Sequence, residues 1–357
     1  MFLISWCRRL TGATLLVMAG AGTAATPLSQ PPSSVYRPIK DWTLVCDNTR
    51  YCEAKGLVEG NHATMRIERE AGPNTPINLV IDALGELHPD LLRVDDKPSV
   101  LQTLPWHIGG RRDLSETQLS LSRDNAKRAL AAMIEANKLS LGASAQNATI
   151  SLIGLKAVLL SMDELQGRLD TPGALVRTGP LSENRVARSV PLPYLPVRTT
   201  VATAIPQGFL ATVRTARSAA IASECEQDLQ KPNDEAKSLS AKEVLVFLEC
   251  RRGAYQSQYL SYRVNRDKPQ EVQGLVLPVM AGIDKRFEKV LSQPEWDLDT
   301  GTLTVGAKGR GVADCGYWAK WRFDGDAFVM AEFHEQRICA GRPWDWPALY
   351  RSKASKD

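Results

Sequence analysis

The sequence predicts an α+β fold: two β-rich domains of antiparallel sheet with a few amphipathic helices, stapled by disulfides. Three observations predict it. Residues 41–56 read as a hairpin, with an apolar run ending at Cys46, a polar turn through Asp47, Asn48 and Thr49, and a return through Tyr51 and Cys52. Short apolar or alternating runs, broken by Gly, Pro and Asn, recur along most of the 357 residues. Six cysteines follow residue 40, an even number that suits cross-linking in an oxidising compartment.

The first 25 residues read as a secretory signal. Arg8 and Arg9 form the positive region, Leu10 to Ala21 the apolar region, and the small residues from Gly22 to Ala25 suit cleavage. The apolar run falls short of the roughly 20 residues a membrane span needs. No later segment is apolar enough for one, so no integral membrane segment is expected after cleavage. A net charge of +4, two of it from Arg8 and Arg9, gives no basic face for nucleic acid. The expected address is the periplasm. Six cysteines allow 15 connectivities, among which sequence alone does not choose; the preferred one is nearest-neighbour pairing, Cys46–Cys52, Cys225–Cys250 and Cys315–Cys339. Each pair brackets one strand-turn or strand-loop unit and should contribute about 2–4 kcal/mol. Thiolate metal binding would need Cys-x-x-Cys spacing, which is absent.

The N-terminal α+β domain is placed at 26–185. Ala63 to Glu70 alternates as a half-buried strand, and Ile77 to Ile81 is the next. Leu91 to Val94 and Val100 to Leu104 are weaker strands, and Gln118 to Leu121 another. Ser122 then caps a helix with Asp124 in its first turn. Leu139 to Leu141 and Ala148 to Ile153 read as strands. Leu155 to Leu165 has Leu155, Val158, Leu159, Met162 and Leu165 at helical spacing.

Prolines and glycines interrupt 171–197, and a Pro-rich linker is placed at 186–200. The C-terminal domain, 201–357, opens with a helix near Pro206 to Glu224, its stripe being Phe209, Leu210, Val213, Ala216 and Ala220. Strands follow at Val244 to Cys250, Tyr255 to Val264 and Val272 to Leu277. Trp296 to Val305 and Trp318 to Glu332 read as hairpins, turning at Asp299–Gly301 and at Asp324-Gly325-Asp326.

The hairpin motif at 41–54, Arg-Glu-Ala-Gly-Pro at 69–73, Lys-Gly-Arg-Gly-Val-Ala-Asp-Cys-Gly at 308–316, Trp-Arg-Phe-Asp-Gly-Asp-Ala-Phe at 321–328, then Cys339 and Trp346-Pro347, resemble the bacterial domain-of-unknown-function family numbered 1176. The first half also resembles, distantly, the invasion-associated locus B family. Both resemblances imply exported proteins of Gram-negative bacteria, and neither implies a catalytic residue.

No catalytic motif emerges from the residues. There is no Gly-x-Ser-x-Gly elbow, and His62, His88, His107 and His334 are isolated. His334-Glu335 lacks the second histidine of a zinc helix. Asp95–Asp96 and Asp297–Asp299 read as turn polarity rather than a glycosidase pair. No cofactor is implied. Residues 306–316 read first as a glycine-rich connection shaped by a disulfide, and second as a backbone anion site with Lys308 and Arg310. Of the late tryptophans, Trp318 and Trp321 have opposite parity on one strand, so one should face outward. Trp344-Asp-Trp346, set between prolines, could form a rigid lip. The expected function is therefore a non-catalytic binding or envelope-associated module, with a ligand face around Lys308, Arg310, Trp318, Trp321, Trp344 and Trp346. A hydrolase of cell-wall or other periplasmic substrates is the alternative.

Overall fold

Strict alternation of side chains builds the first sheet in a computed structural model that describes residues 34–56, 62–110, 115–142, 148–200, 202–279, 287 and 290–355. The signal segment expected at residues 1–25 lies outside the described residues. Strands β1 (Val35–Ile39), β2 (Trp42–Cys46), β3 (Cys52–Gly56), β4 (Ala63–Arg69) and β5 (Ile77–Leu84) meander as antiparallel neighbours. After β6 (Arg93–Val94), β7 (His107–Gly109) and β8 (Glu116–Ser122) complete a sheet ordered β1-β2-β3-β4-β5-β8-β7. Helix α1 (Arg123–Met133), strands β9 (Lys138–Ser140) and β10 (Thr149–Ser151) and helix α2 (Leu155–Leu165) follow. Strands β10, β9 and β6 form a small second sheet.

Trp42, Leu44, Ala54, Met65, Ile67 and Leu79 point inward and pack with Ala126, Leu130, Val158 and Met162 of the two helices. The α2 limits match the expected 155–165. Two expectations fail locally. Ser122 occupies the cap position of α1, but its hydroxyl makes no capping bond. The expected strands at 91–94 and 100–104 are mostly 3-10 turns, Pro89–Leu91 and Val100–Thr103, with only Arg93–Val94 paired. Pro89 starts the first turn, and the Ser99 hydroxyl accepts from the Leu101 amide in the second.

The Pro-rich stretch carries β11 (Tyr194–Pro196). The expected long helix is two, α3 (Phe209–Ala216) and α4 (Ser218–Glu224), broken at Arg217, whose backbone is not helical. Pro206 precedes Gly208, the cap residue, rather than entering the first turn. Phe209 and Val213 are buried, whereas Ala216 is exposed. Then come β12 (Glu235–Ser238), β13 (Glu243–Arg252), β14 (Ser257–Asn265), β15 (Val272–Gly274) and β16 (Val290–Ser292). The last strands are β17 (Glu295–Asp297), β18 (Thr302–Lys308), β19 (Gly316–Phe323), β20 (Phe328–Gln336), β21 (Ala348–Tyr350) and β22 (Lys353–Ser355). β22 pairs with β11 in parallel.

The sheet β12-β13-β14-β15 lies between two cores. Val244, Val246 and Leu260 meet Phe209 and Val213 of α3. On the other side Leu245, Phe247 and Tyr259 meet Leu303, Val305, Trp321 and Phe333 of the antiparallel sheet β17-β18-β19-β20-β21. The β19–β20 turn falls where expected, with Asp324 Oδ1 accepting from the amides of Asp326 and Ala327. The outer face of the β17–β21 sheet has half-exposed side chains, including Thr302, Thr304, Trp318 and Lys320.

The two halves meet where the C-terminal segment crosses the outer face of the first sheet. Val45 joins the second core beside Leu349 and Tyr350. Lys55, only 1% exposed, pairs with Asp345 at 3.1 Å and donates to its main-chain carbonyl. Arg66 reaches Asp345 at 2.8 Å, Asp82 at 2.9 Å and Glu68 at 3.3 Å. Arg351 pairs with Asp47 at the hairpin tip. A buried cation this poor in water is tolerable only with such partners.

Candidate functional site

Disulfides join Cys46–Cys52, Cys225–Cys250 and Cys315–Cys339. The third ties the 306–316 loop to the C-terminal segment. The loop's glycines answer to that bond. A Cβ on Gly309 would lie 2.5 Å from Cys315 Sγ, and the Gly309 amide donates to the Cys315 carbonyl. Gly316, at φ +142°, leaves no room for a Cβ beside the Ala307 carbonyl. The first reading of this stretch, a connection shaped by a disulfide, therefore fits its geometry. Gly309 and Ala313 direct their amides at loop carbonyls rather than at a shared anion position.

The loop nevertheless supports a surface. Arg310 pairs with the buried Asp314 and also donates to the Cys339 carbonyl, so it braces the loop. The Ala313 carbonyl accepts from the Trp344 amide at 2.8 Å and from Trp346 Nε1 at 3.1 Å. Trp344 itself adopts φ 61°, a left-handed conformation that is costly for a bulky side chain. The residue is 59% exposed. Asp345, the next residue, turns the opposite way into Lys55 and Arg66. Of the lip expected at 344–346, Trp344 is exposed and Trp346 is buried, and the segment is pinned on one side by Ala313 and on the other by the first sheet.

Lys308 ends β18 beside this lip. Its ammonium lies 5.8 Å from the Trp344 ring centroid and 5.9 Å from that of Tyr255. Tyr255 is 67% exposed, and a Cβ at Gly311 would lie 2.9 Å from its Cζ, so the ring rests on that glycine. Val312, 47% exposed, lies in the same loop. Gln256 locks the base, accepting from the Lys308 amide at 2.8 Å and donating to its carbonyl. Among the described residues no carboxylate pairs with the Lys308 ammonium. Aromatic faces attract a cation and also offer flat apolar area to a ligand.

The six sequence candidates thus part company. Lys308 and Trp344 come together at the surface. Trp318 is half-exposed further along the outer face, stacked on His334 with centroids 4.0 Å apart. Arg310 is a brace. Trp346 is buried beneath Trp344, and its carbonyl is bonded to His334 Nδ1. Burial pushes the His334 ring below its ordinary pKa and favours the neutral form. Trp321 is 0% exposed, donates to the Pro278 carbonyl and packs edge-on against Phe287. The ring of Trp321 is closed to any ligand, because its parity points it into the core. Tyr255 was missed, since the expected strand 255–264 starts only at Ser257. The available signal was an aromatic in an otherwise polar turn.

The carboxylates that the sequence offered are not arranged as an acid/base pair. Asp95 accepts from the amides of Asn137 and Lys138, and Asp297 from the amide of Asp299 and the hydroxyl of Thr300. A cleft of about 490 Å³ on the outer face includes Glu295 and Glu332. These stand on strands separated by β18 and β19, about 14 Å apart at ~4.8 Å per strand, and Glu332 pairs with Lys320 at 3.6 Å. Retaining or inverting hydrolysis needs separations below ~10 Å. Among the described residues no helix is long and apolar enough to cross a membrane.

Comparison with known proteins agrees with the motifs. Over 339 residues the chain is 28% identical to the uncharacterized protein YpfG of Escherichia coli (strain K12), an alignment covering 88% of this chain and 92% of that protein. No solved structure matches. Residues 36–353 match the family described as "Protein of unknown function (DUF1176)", and the chain belongs to that family.

Proposed function

We propose that this is an exported, periplasmic, non-catalytic binding protein whose ligand face is the Lys308–Tyr255–Trp344 surface. The disulfides and the leader pattern of residues 1–25 support export. The likeness to the invasion-associated locus B family rests only on the first-half motif and points the same way. One observation carries the binding reading: a lysine ammonium without a carboxylate partner among the described residues, set between two exposed rings, one of them held in a strained backbone. Sugar rings or small anions are the chemistry such a surface accepts.

Tryptophan fluorescence of the full chain, titrated with neutral and carboxylated oligosaccharides, tests it. Binding should change the emission of wild type, and Lys308→Ala should weaken that binding about tenfold without changing thermal stability. Equal binding by the variant would remove the site.

A further inference from the structure

The outer face of the β17–β21 sheet runs on from Lys308 to a second cation. Outward positions on β18 are Thr302, Thr304, Gly306 and Lys308, while Leu303 and Val305 point into the core. Across the ladder, Arg322 faces Thr302, Lys320 faces Thr304 and Trp318 faces Gly306. Arg322 therefore stands about 20 Å along the strand from the level of Lys308, at ~3.4 Å per residue.

At that far end is the cleft of about 490 Å³, walled by Trp296, Thr300, Thr302, Thr304 and Lys320. Arg322 lines it, and its Nε and Nη1 are covered and lack a hydrogen-bond partner among the described residues. Covered, unpaired guanidinium nitrogens are costly, so an acceptor entering the cleft would satisfy them. The acids nearby are engaged or peripheral. Glu332 pairs with Lys320, Asp297 accepts from its own turn, and Glu295 is exposed at the rim. Midway, His334 covers one face of Trp318, the Lys320 ammonium lies 4.9 Å from its ring centroid, and Gly306 adds no side chain on its flank.

We propose that this face binds one linear carboxylated glycan, with one carboxylate at Lys308 and another at Arg322. The proposal rests on the reading of Lys308, Tyr255 and Trp344 as a ligand surface. Several features select the ligand. Threonine hydroxyls and ring faces suit sugars. Two cations about 20 Å apart, at ~3.4 Å per residue, suit an oligosaccharide rather than a single anionic headgroup. An extended peptide would add to a sheet edge, whereas β18 and β19 are interior strands already paired on both sides.

The test is a ladder of oligouronates of two, four and six residues, bound to the full chain, with thermal melts as folding controls. Wild type should bind the four-residue probe at least about tenfold more tightly than the two-residue probe, one charged contact being worth that much. Arg322→Gln should remove that gain and leave two-residue binding unchanged. Gly306→Val, which fills the flank beside Trp318, should do the same if the arginine variant fails to fold. No length dependence, or no effect of either variant while Lys308→Ala still weakens binding, overturns the extended ligand and spares the Lys308 surface. Unchanged binding by Lys308→Ala overturns the underlying reading. Tighter binding of poly-glutamate peptides, or of mixed phosphatidylcholine and phosphatidylglycerol vesicles, overturns the glycan assignment.

Discussion

Replacing Asp345 with alanine should destabilise the protein far more than its partly exposed position suggests. Asp345 faces Lys55 at 3.1 Å and Arg66 at 2.8 Å. Arg66 would keep Asp82 and Glu68, so little of the loss falls there. Lys55 is buried and would keep the main-chain carbonyl of residue 345 and the neighbouring Glu53 carboxyl. Removing one partner of a buried pair costs about 3–5 kcal/mol, and the retained carbonyl places this case near 3. At about 1.3 °C per kcal/mol for a chain of 357 residues, the melting temperature should fall by roughly 4 °C. Burial works to raise the Asp345 pKa, but Lys55 and Arg66 hold it below its ordinary value. A depressed carboxylate stabilises the fold above its ordinary pKa, so the deficit should be full at neutral pH and fade below about pH 4. Guanidinium unfolding of wild type, Asp345→Ala and the exposed-pair control Glu271→Ala measures it. The control should lose at most about 1 kcal/mol, its partner Lys268 being exposed. The double replacement Lys55→Met with Asp345→Leu should recover most of the loss. A loss from Asp345→Ala no larger than the control's would refute the ionic joint.

Three further outcomes follow from the same geometry. Burial pushes Glu53 up to about 7, with Lys55 and Arg66 opposing. A raised carboxyl destabilises the fold as pH rises from about 4.5 through 7, so Glu53→Gln should stabilise it at pH 8 and not at pH 4, by roughly 1–2 kcal/mol after discounting for partial exposure. Gly309→Ala should lower stability by at least about 1 kcal/mol, because its Cβ would meet Cys315 Sγ at 2.5 Å. It should also slow Cys315–Cys339 formation during oxidative refolding, which thiol trapping reads. Replacing Cys225 and Cys250 by serine should cost about 2–5 kcal/mol in urea unfolding, with Lys308-dependent binding retained in the folded fraction.

Much of this fold was legible because local pattern and burial agree. Ala63 to Glu70 alternates since one face of β4 lies in the core that α1 and α2 share, and α2 carries five apolar residues at helical spacing. The Asp324-Gly325-Asp326 turn was legible because a carboxylate and a glycine do the turning themselves. What was hidden depends on contacts distant in sequence. The outer face of the first sheet reads as polar and solvated, through Glu53, Lys55, Arg66 and Glu68. It is covered because Asp345, nearly 300 residues later, neutralises it. The helix at 209–224 breaks at Arg217, where periodicity shows nothing. At the site, parity correctly separated Trp318 from Trp321 but could not say which faced the core. The glycines of 306–316 look like an anion cradle until Cys315 Sγ is placed against Gly309. Tyr255 joins the site only through the β13–β14 turn, which brings it over Gly311.

Amide chemical-shift mapping of the isotopically labelled full chain, titrated with a four-residue oligouronate, tests the central claim most directly. The shifts should concentrate at residues 255–256, 306–312 and 344, continue along the outward positions of β18 and β19 as far as Arg322, and disappear for the lip in Lys308→Ala. Shifts confined to another face of the molecule, or none at saturating probe, would contradict the account.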